Sequence, residues 1–100
     1  MKTLNIKLPY KSLVKFKDVD ADIRNAVFRD YLEGHRIFTE EGYWTTYQYD
    51  SELYQGHMVT YMFKVDDYLH KALKLESIKQ GVNMNLYAGQ VITHEIEKRG

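Results

Sequence analysis

The stretch "VTYMFKVDDYLHKALKLESIKQGVNMNLYAGQVITHEIEK", residues 59–98, decides how the rest of the chain is read. Val59, Tyr61, Phe63 and Val65 alternate with Thr60, Met62 and Lys64, the period-two pattern of a strand with one buried face. Asp66 and Asp67 are good caps for a helix in which Leu69, Ala72, Leu73 and Ile78 recur at helical spacing. Gly81 predicts the end of that helix and Asn83 the cap of the next. In this last helix Leu86, Gly89, Thr93 and Ile96 are expected to face the interior. The order is strand, helix, helix.

The same order opens the chain, in "TLNIKLPYKSLVKFKDVDADIRNAVFRDYLEG", residues 3–34. Leu4, Ile6 and Leu8 alternate with Thr3, Asn5 and Lys7, again a one-sided strand. Pro9 ends it and suits the start of a helix, because the N–H that proline lacks is unpaired there anyway. A short piece with Leu13, Val14 and Phe16 follows. Asp18 or Asp20 then caps a second helix carrying Ile23, Val27 and Tyr31, with Gly34 as its predicted stop.

Between the two segments lies "HRIFTEEGYWTTYQYDSELYQGH", residues 35–57. Arg36–Thr39, a Glu-Glu-Gly turn and Tyr43–Tyr49 read as a β-hairpin rich in aromatic and β-branched residues. The expected organisation is therefore a first unit at 1–34, a connecting aromatic hairpin at 35–57 and a second unit at 58–100. Tyr43, Trp44, Tyr47 and Tyr49 suit hairpin packing or self-association, since tyrosine and tryptophan are favoured at interfaces.

Composition bounds what such a chain does. Hydrophobic residues make up 44% and charged residues 28% of its 100 residues, which is ordinary for one small globular domain. Cysteine is absent, which removes disulfides and thiolate metal sites. No apolar run approaches the ~18 residues of a membrane span, and no signal-peptide core follows Met1. A cytoplasmic protein with no membrane partner is the expectation. Net charge is zero, but it is unevenly spread: residues 1–17 hold Lys2, Lys7, Lys11, Lys15 and Lys17 and no acid. A basic end of this kind builds a positive face even in a neutral chain.

Catalytic signals are missing. His35, His57, His70 and His94 have no metal-ligand spacing, and there is no glycine-rich phosphate loop or nucleophile elbow. Neither enzymatic activity nor a cofactor is expected.

The strand and helix "TYMFKVDDYLHKAL", the turn "GVNMNLY", the opening "LNIKLP" and the helix "DADIRNAVFRDYLEG" together resemble the ribbon–helix–helix superfamily, the fold of the Arc, MetJ and CopG repressors. The resemblance spans most of the chain on short, degenerate motifs. It implies an α+β fold in which two tandem units form an intramolecular antiparallel ribbon over a four-helix core, with the hairpin inserted. Two units in one polypeptide resemble the TraY arrangement, and small viral regulators share the fold. A viral origin would put the chain in the host cytoplasm. In this family the ribbon enters the DNA major groove, so the resemblance implies a sequence-specific transcriptional regulator, such as a repressor, with double-stranded DNA as its partner.

Pairing residues 3–8 with 60–65 satisfies both backbones and places Thr3, Asn5, Lys7, Thr60, Met62 and Lys64 on the outer face. Asparagine pairs with adenine edges, lysine with guanine acceptors, and threonine or methionine methyls touch thymine. These six are the candidate base contacts. The family pattern also sets a phosphate at the start of each second helix, which corresponds to Val82, Asn83 and Met84, with Lys2, Lys11 and Lys79 as further backbone contacts. The first unit departs from the pattern. Its first helix is short, and Asp18, Asp20 and Asp22 crowd the start of its second. Were that unit a different element, residues 59–65 of two chains would pair instead. The competing reading is a protein-binding module, an antitoxin or a viral inhibitor of a host protein, using the acidic aromatic middle.

Overall fold

The computed structural model describes residues 1–41 and 58–99, with the side chains of 35–41 and 99 left aside. It is an α+β arrangement of one two-stranded antiparallel sheet and, among the described residues, four helices. In chain order these are β1 (Lys2–Pro9), α1 (Tyr10–Val14), α2 (Ala21–Glu41), β2 (Met58–Val65), α3 (Asp67–Gln80) and α4 (Met84–Arg99).

The two strands pair with each other, and their register puts Leu4 opposite Phe63, Ile6 opposite Tyr61 and Leu8 opposite Val59. Directly opposed residues of an antiparallel pair share a face. Leu4, Ile6, Leu8, Phe63 and Val65 are all buried on the face that meets the helices. Beneath them lie Phe28, Tyr31 and Leu32 of α2, Leu69 and Leu73 of α3, and Tyr87, Ala88, Val91, Ile92 and Ile96 of α4. Each fully buried large side chain contributes about 1.5–3 kcal/mol of burial free energy before chain entropy is counted. Phe28 stands at the centre of an aromatic group, edge-on to Phe16 at 5.4 Å, Tyr61 at 5.5 Å and Phe63 at 5.9 Å between ring centroids. Edge-to-face contacts of this kind hold α2 and the segment after α1 against the ribbon.

The helix ends follow from local chemistry. Asp66 caps α3 by accepting the Leu69 N–H at 2.6 Å. Gly81 ends it with φ 70°, and the Val82 N–H donates back to the Ser77 carbonyl at 3.0 Å. That pair of features is a Schellman closure, in which glycine carries the left-handed residue at no steric cost. Asn83 opens α4, its side-chain oxygen accepting the Asn85 N–H at 2.8 Å. Asp20 opens α2 by accepting the Asp22 N–H at 2.9 Å.

Several expectations need correction. Helix α2 does not stop at Gly34 but runs on to Glu41. Among the described glycines only Gly81 has positive φ, and Gly34 sits in ordinary helix. A glycine inside a helix costs only about 1 kcal/mol relative to alanine, too little to break one supported at both sides. Arg36–Thr39 is consequently helix, not the first strand of a hairpin, and the boundary at 34 falls inside an element. The remainder of that hairpin, with Tyr43, Trp44, Tyr47 and Tyr49, lies outside the described residues. Ile23 and Ile78, expected inside, are 58% and 65% exposed. Phe28 and Leu32 take the interior positions of α2 in place of Ile23.

Strand β1 and helix α4 approach each other closely at Gly89. A Cβ added at Gly89 would overlap the Lys7 carbonyl oxygen and sit 2.7 Å from its carbonyl carbon. Only a hydrogen at this position lets the strand backbone rest on the helix. Two residues earlier, Tyr87 is fully buried, and burial together with the Glu76 carboxylate pushes its phenol pKa well above the ordinary tyrosine value.

Gly89→Ala should therefore destabilise the protein by about 3 kcal/mol or more, because strand and helix must separate to admit a methyl group. Gly34→Ala, where a Cβ meets nothing within 4 Å, should leave stability unchanged or raise it by about 0.5–1 kcal/mol. Denaturant unfolding of the two variants checks both signs. The Tyr87 phenol contributes stability fully below the unfolded-state value near pH 10, and that contribution is lost as pH rises beyond it. Comparing unfolding at about pH 8 and about pH 11, Tyr87→Phe should lose less stability on alkalinisation than the parent. Equal losses in the two proteins would contradict the assignment.

Candidate nucleic-acid interface

The outer ribbon face is made by the residues that alternate with the core. Thr3 stands opposite Lys64, Asn5 opposite Met62 and Lys7 opposite Thr60. All six are exposed, Met62 at 66% despite being apolar. The side chains expected to reach bases are thus brought together on one solvent-facing surface.

The register carries a further regularity. A two-fold axis through the central pair Asn5 and Met62 exchanges Thr3 with Thr60 and Lys7 with Lys64. Each threonine faces a lysine across the ribbon, and the two lysines occupy diagonal corners. On the inner face the same axis exchanges Leu4 with Tyr61, Ile6 with Phe63 and Leu8 with Val65. Where the strands leave the ribbon, Pro9 is the N-cap of α1 and Asp66 the N-cap of α3. Between residues 3–8 and 60–65 the side chains on both faces follow the symmetry of the backbone, with Asn5 and Met62 the exception at the centre, while Lys2 against Val59 breaks it at the end.

The expected phosphate-contacting residues are more dispersed. Lys2 lies opposite Val65, on the helix-facing side, but is exposed at the strand end. Lys11 is exposed on α1, and Lys79 is exposed in the last turn of α3, where it pairs with Glu76 at 3.4 Å. Val82 and Met84 are half-buried against the core, so only their backbones could serve a ligand. The Val82 N–H is already committed to Ser77, a correction to the expected trio of donors. Asn83 and Met84 remain as N–H donors at a helix start that carries no acid in its first turn. The start of α2 differs, being capped by Asp20 and followed by Asp22 in its first turn.

The flank of β2 holds residues that no strand or turn pattern singled out. Tyr61 donates from its hydroxyl to the Asn25 side-chain oxygen at 2.7 Å, and the Arg24 guanidinium lies over the Tyr61 ring at 5.1 Å. Asn25 and Arg29 of α2, with Thr3, Met62, Phe63 and Lys64 of the ribbon, line an open groove of about 380 Å³. The signal for these residues was positional: Arg24 and Asn25 lie about one turn before the buried Phe28 and Arg29 directly after it, and only the packing of α2 shows which element they flank.

Among the described residues no group of three or more histidine and carboxylate side chains is placed to hold a metal, and no helix is long and apolar enough to cross a membrane. No family model matches the chain, and no curated protein and no solved structure matches it either.

Proposed function

We propose that the chain is a sequence-specific DNA-binding regulator, built as tandem ribbon–helix–helix units, that sets its two-stranded ribbon in the major groove of double-stranded DNA. The observation that carries this reading is the outer face itself, with six exposed side chains able to bond or touch base edges in a two-fold-related array. A major groove about 12 Å wide admits a two-stranded ribbon. A two-fold reading surface matches a site whose half-sequences are inverted copies. Lys7 and Lys64 would each address guanine in one half-site, Thr3 and Thr60 would touch the neighbouring base pair, and Asn5 and Met62 would read the centre differently from each other. That central mismatch favours a site that is only approximately palindromic.

Backbone anchoring accompanies base reading. The N–H groups of Asn83 and Met84 suit one phosphate at the start of α4, where the helix dipole favours an anion. Lys2, Lys11 and Lys79 add contacts whose strength falls with salt. The acidic start of α2 is unsuited to the matching role, so the two halves of the unit anchor unequally.

Lys64→Ala and Asn5→Ala should each weaken binding to the preferred duplex by about 1–3 kcal/mol while leaving the unfolding transition in place. Fluorescence anisotropy at fixed salt, first against DNA from upstream of the protein's own gene, measures this. Unchanged affinity in both variants would remove the ribbon face from the reading. If no salt-dependent binding to that DNA is found, the protein-binding alternative takes its place.

A further inference from the structure

Resting on the DNA-binding reading, we infer that the groove between α2 and β2 is a second anchoring site, taking one sugar–phosphate unit of the DNA backbone on Arg29 and Lys64. It replaces, in the first half of the chain, the helix-start anchor that Asp20 and Asp22 exclude.

Three observations lead there. The groove shares its rim with the reading face, since Thr3, Met62 and Lys64 belong to both. A duplex lying against the ribbon therefore brings its backbone to this edge. The lining contains two cations, Arg29 and Lys64, two polar residues, Asn25 and Thr3, the apolar Met62 and Phe63, and no acid. That composition fits a deoxyribose resting on apolar atoms while its phosphate meets the cations. Arginine in particular suits phosphate, because its planar fork offers paired donors.

The state of Arg29 is the second argument. Among the described residues its Nε, like that of Arg24, is buried without a hydrogen-bond partner, and no carboxylate pairs with it. A guanidinium that no carboxylate holds keeps its fork of donors for an incoming phosphate.

The third is the contrast with the other half of the unit. The two-fold axis that exchanges Met62 with Asn5 and Lys64 with Lys7 carries this groove onto the flank of β1, where α4 packs. There the Lys7 backbone rests directly on Gly89, where a Cβ would not fit. One half is shut and anchors through its helix start. The other stands open and anchors through the groove.

The test is the salt dependence of binding to a random-sequence duplex, because a phosphate contact is blind to sequence. Arg29→Gln should reduce the slope of log K against log salt by about 1 and weaken binding several-fold to any duplex. Lys98→Gln removes the same charge from the exposed far end of α4 and should leave the slope unchanged. Asn25→Asp keeps an acceptor for the Tyr61 hydroxyl and adds a negative charge at the groove, so it should lose more affinity than Lys98→Gln. It also serves where Arg29→Gln fails to fold. If the parent protein binds DNA and both groove variants behave like Lys98→Gln, the groove is overturned while the DNA-binding reading stands. If the parent shows no salt-dependent binding to any duplex, both fall.

Discussion

A lone β-strand exposes a row of unpaired backbone groups and one apolar face, and neither problem can be solved within the strand. Here the two strands meet that need together: β1 and β2 pair along their whole length, each bonding its inward-pointing backbone groups to the other, and combine their apolar faces into one sheet surface. Everything else depends on that pairing. Without it Leu4, Ile6, Leu8, Phe63 and Val65 would have no common plane to present, and the helices would have nothing to cover. The pairing also fixes the outside, because a shift of one residue in either strand would turn its outer set, with Asn5 or Met62, inward and expose its core set.

The helices then divide unequally around the ribbon. Helix α4 lies close under β1, with Gly89 admitting the Lys7 backbone. Helix α2 is held to β2 by side chains, through Phe28 against Tyr61 and Phe63 and through the Tyr61 bond to Asn25. A contact made by side chains keeps the two backbones further apart than one made at a glycine, and the space left over is the groove lined by Arg29 and Lys64. The same asymmetry appears at the helix starts, neutral at Asn83 and acidic at Asp20. Among the described residues a two-fold outer face stands on an asymmetric support.

Much of this was legible in the sequence, and the reasons are local. Alternation over Thr3–Leu8 and Val59–Val65 marks both strands and both faces, because side-chain direction in a strand depends only on residue parity. Asp66, Gly81 and Asn83 mark helix ends because each meets a need of the immediate backbone. The extent of α2 was not legible: Gly34 has the composition of a stop but lacks the left-handed backbone that makes one. Arg36–Thr39 has the composition of a strand, yet it continues a helix anchored by Phe28, Tyr31 and Leu32. Nor was the groove, since Asn25 and Arg29 acquire meaning only from β2, which follows them much later in the chain. The outer face of the ribbon was predictable because it is a property of two strands. Its flank was not, because it is a property of packing.

The central claim is that one chain closes its own ribbon in this register, and the absence of native cysteine allows a clean test. Asn5 and Met62 are directly opposed, and opposed Cα atoms in an antiparallel pair lie about 4.5–5.5 Å apart, within the range a disulfide spans. The double variant Asn5→Cys with Met62→Cys, oxidised at low protein concentration, should give a disulfide within single chains, seen as a monomer of altered mobility on non-reducing gels. Disulfide-linked dimers as the main product, increasing with concentration, would mean that ribbons form between chains. Two thiols that stay free under oxidation would mean that the register is wrong.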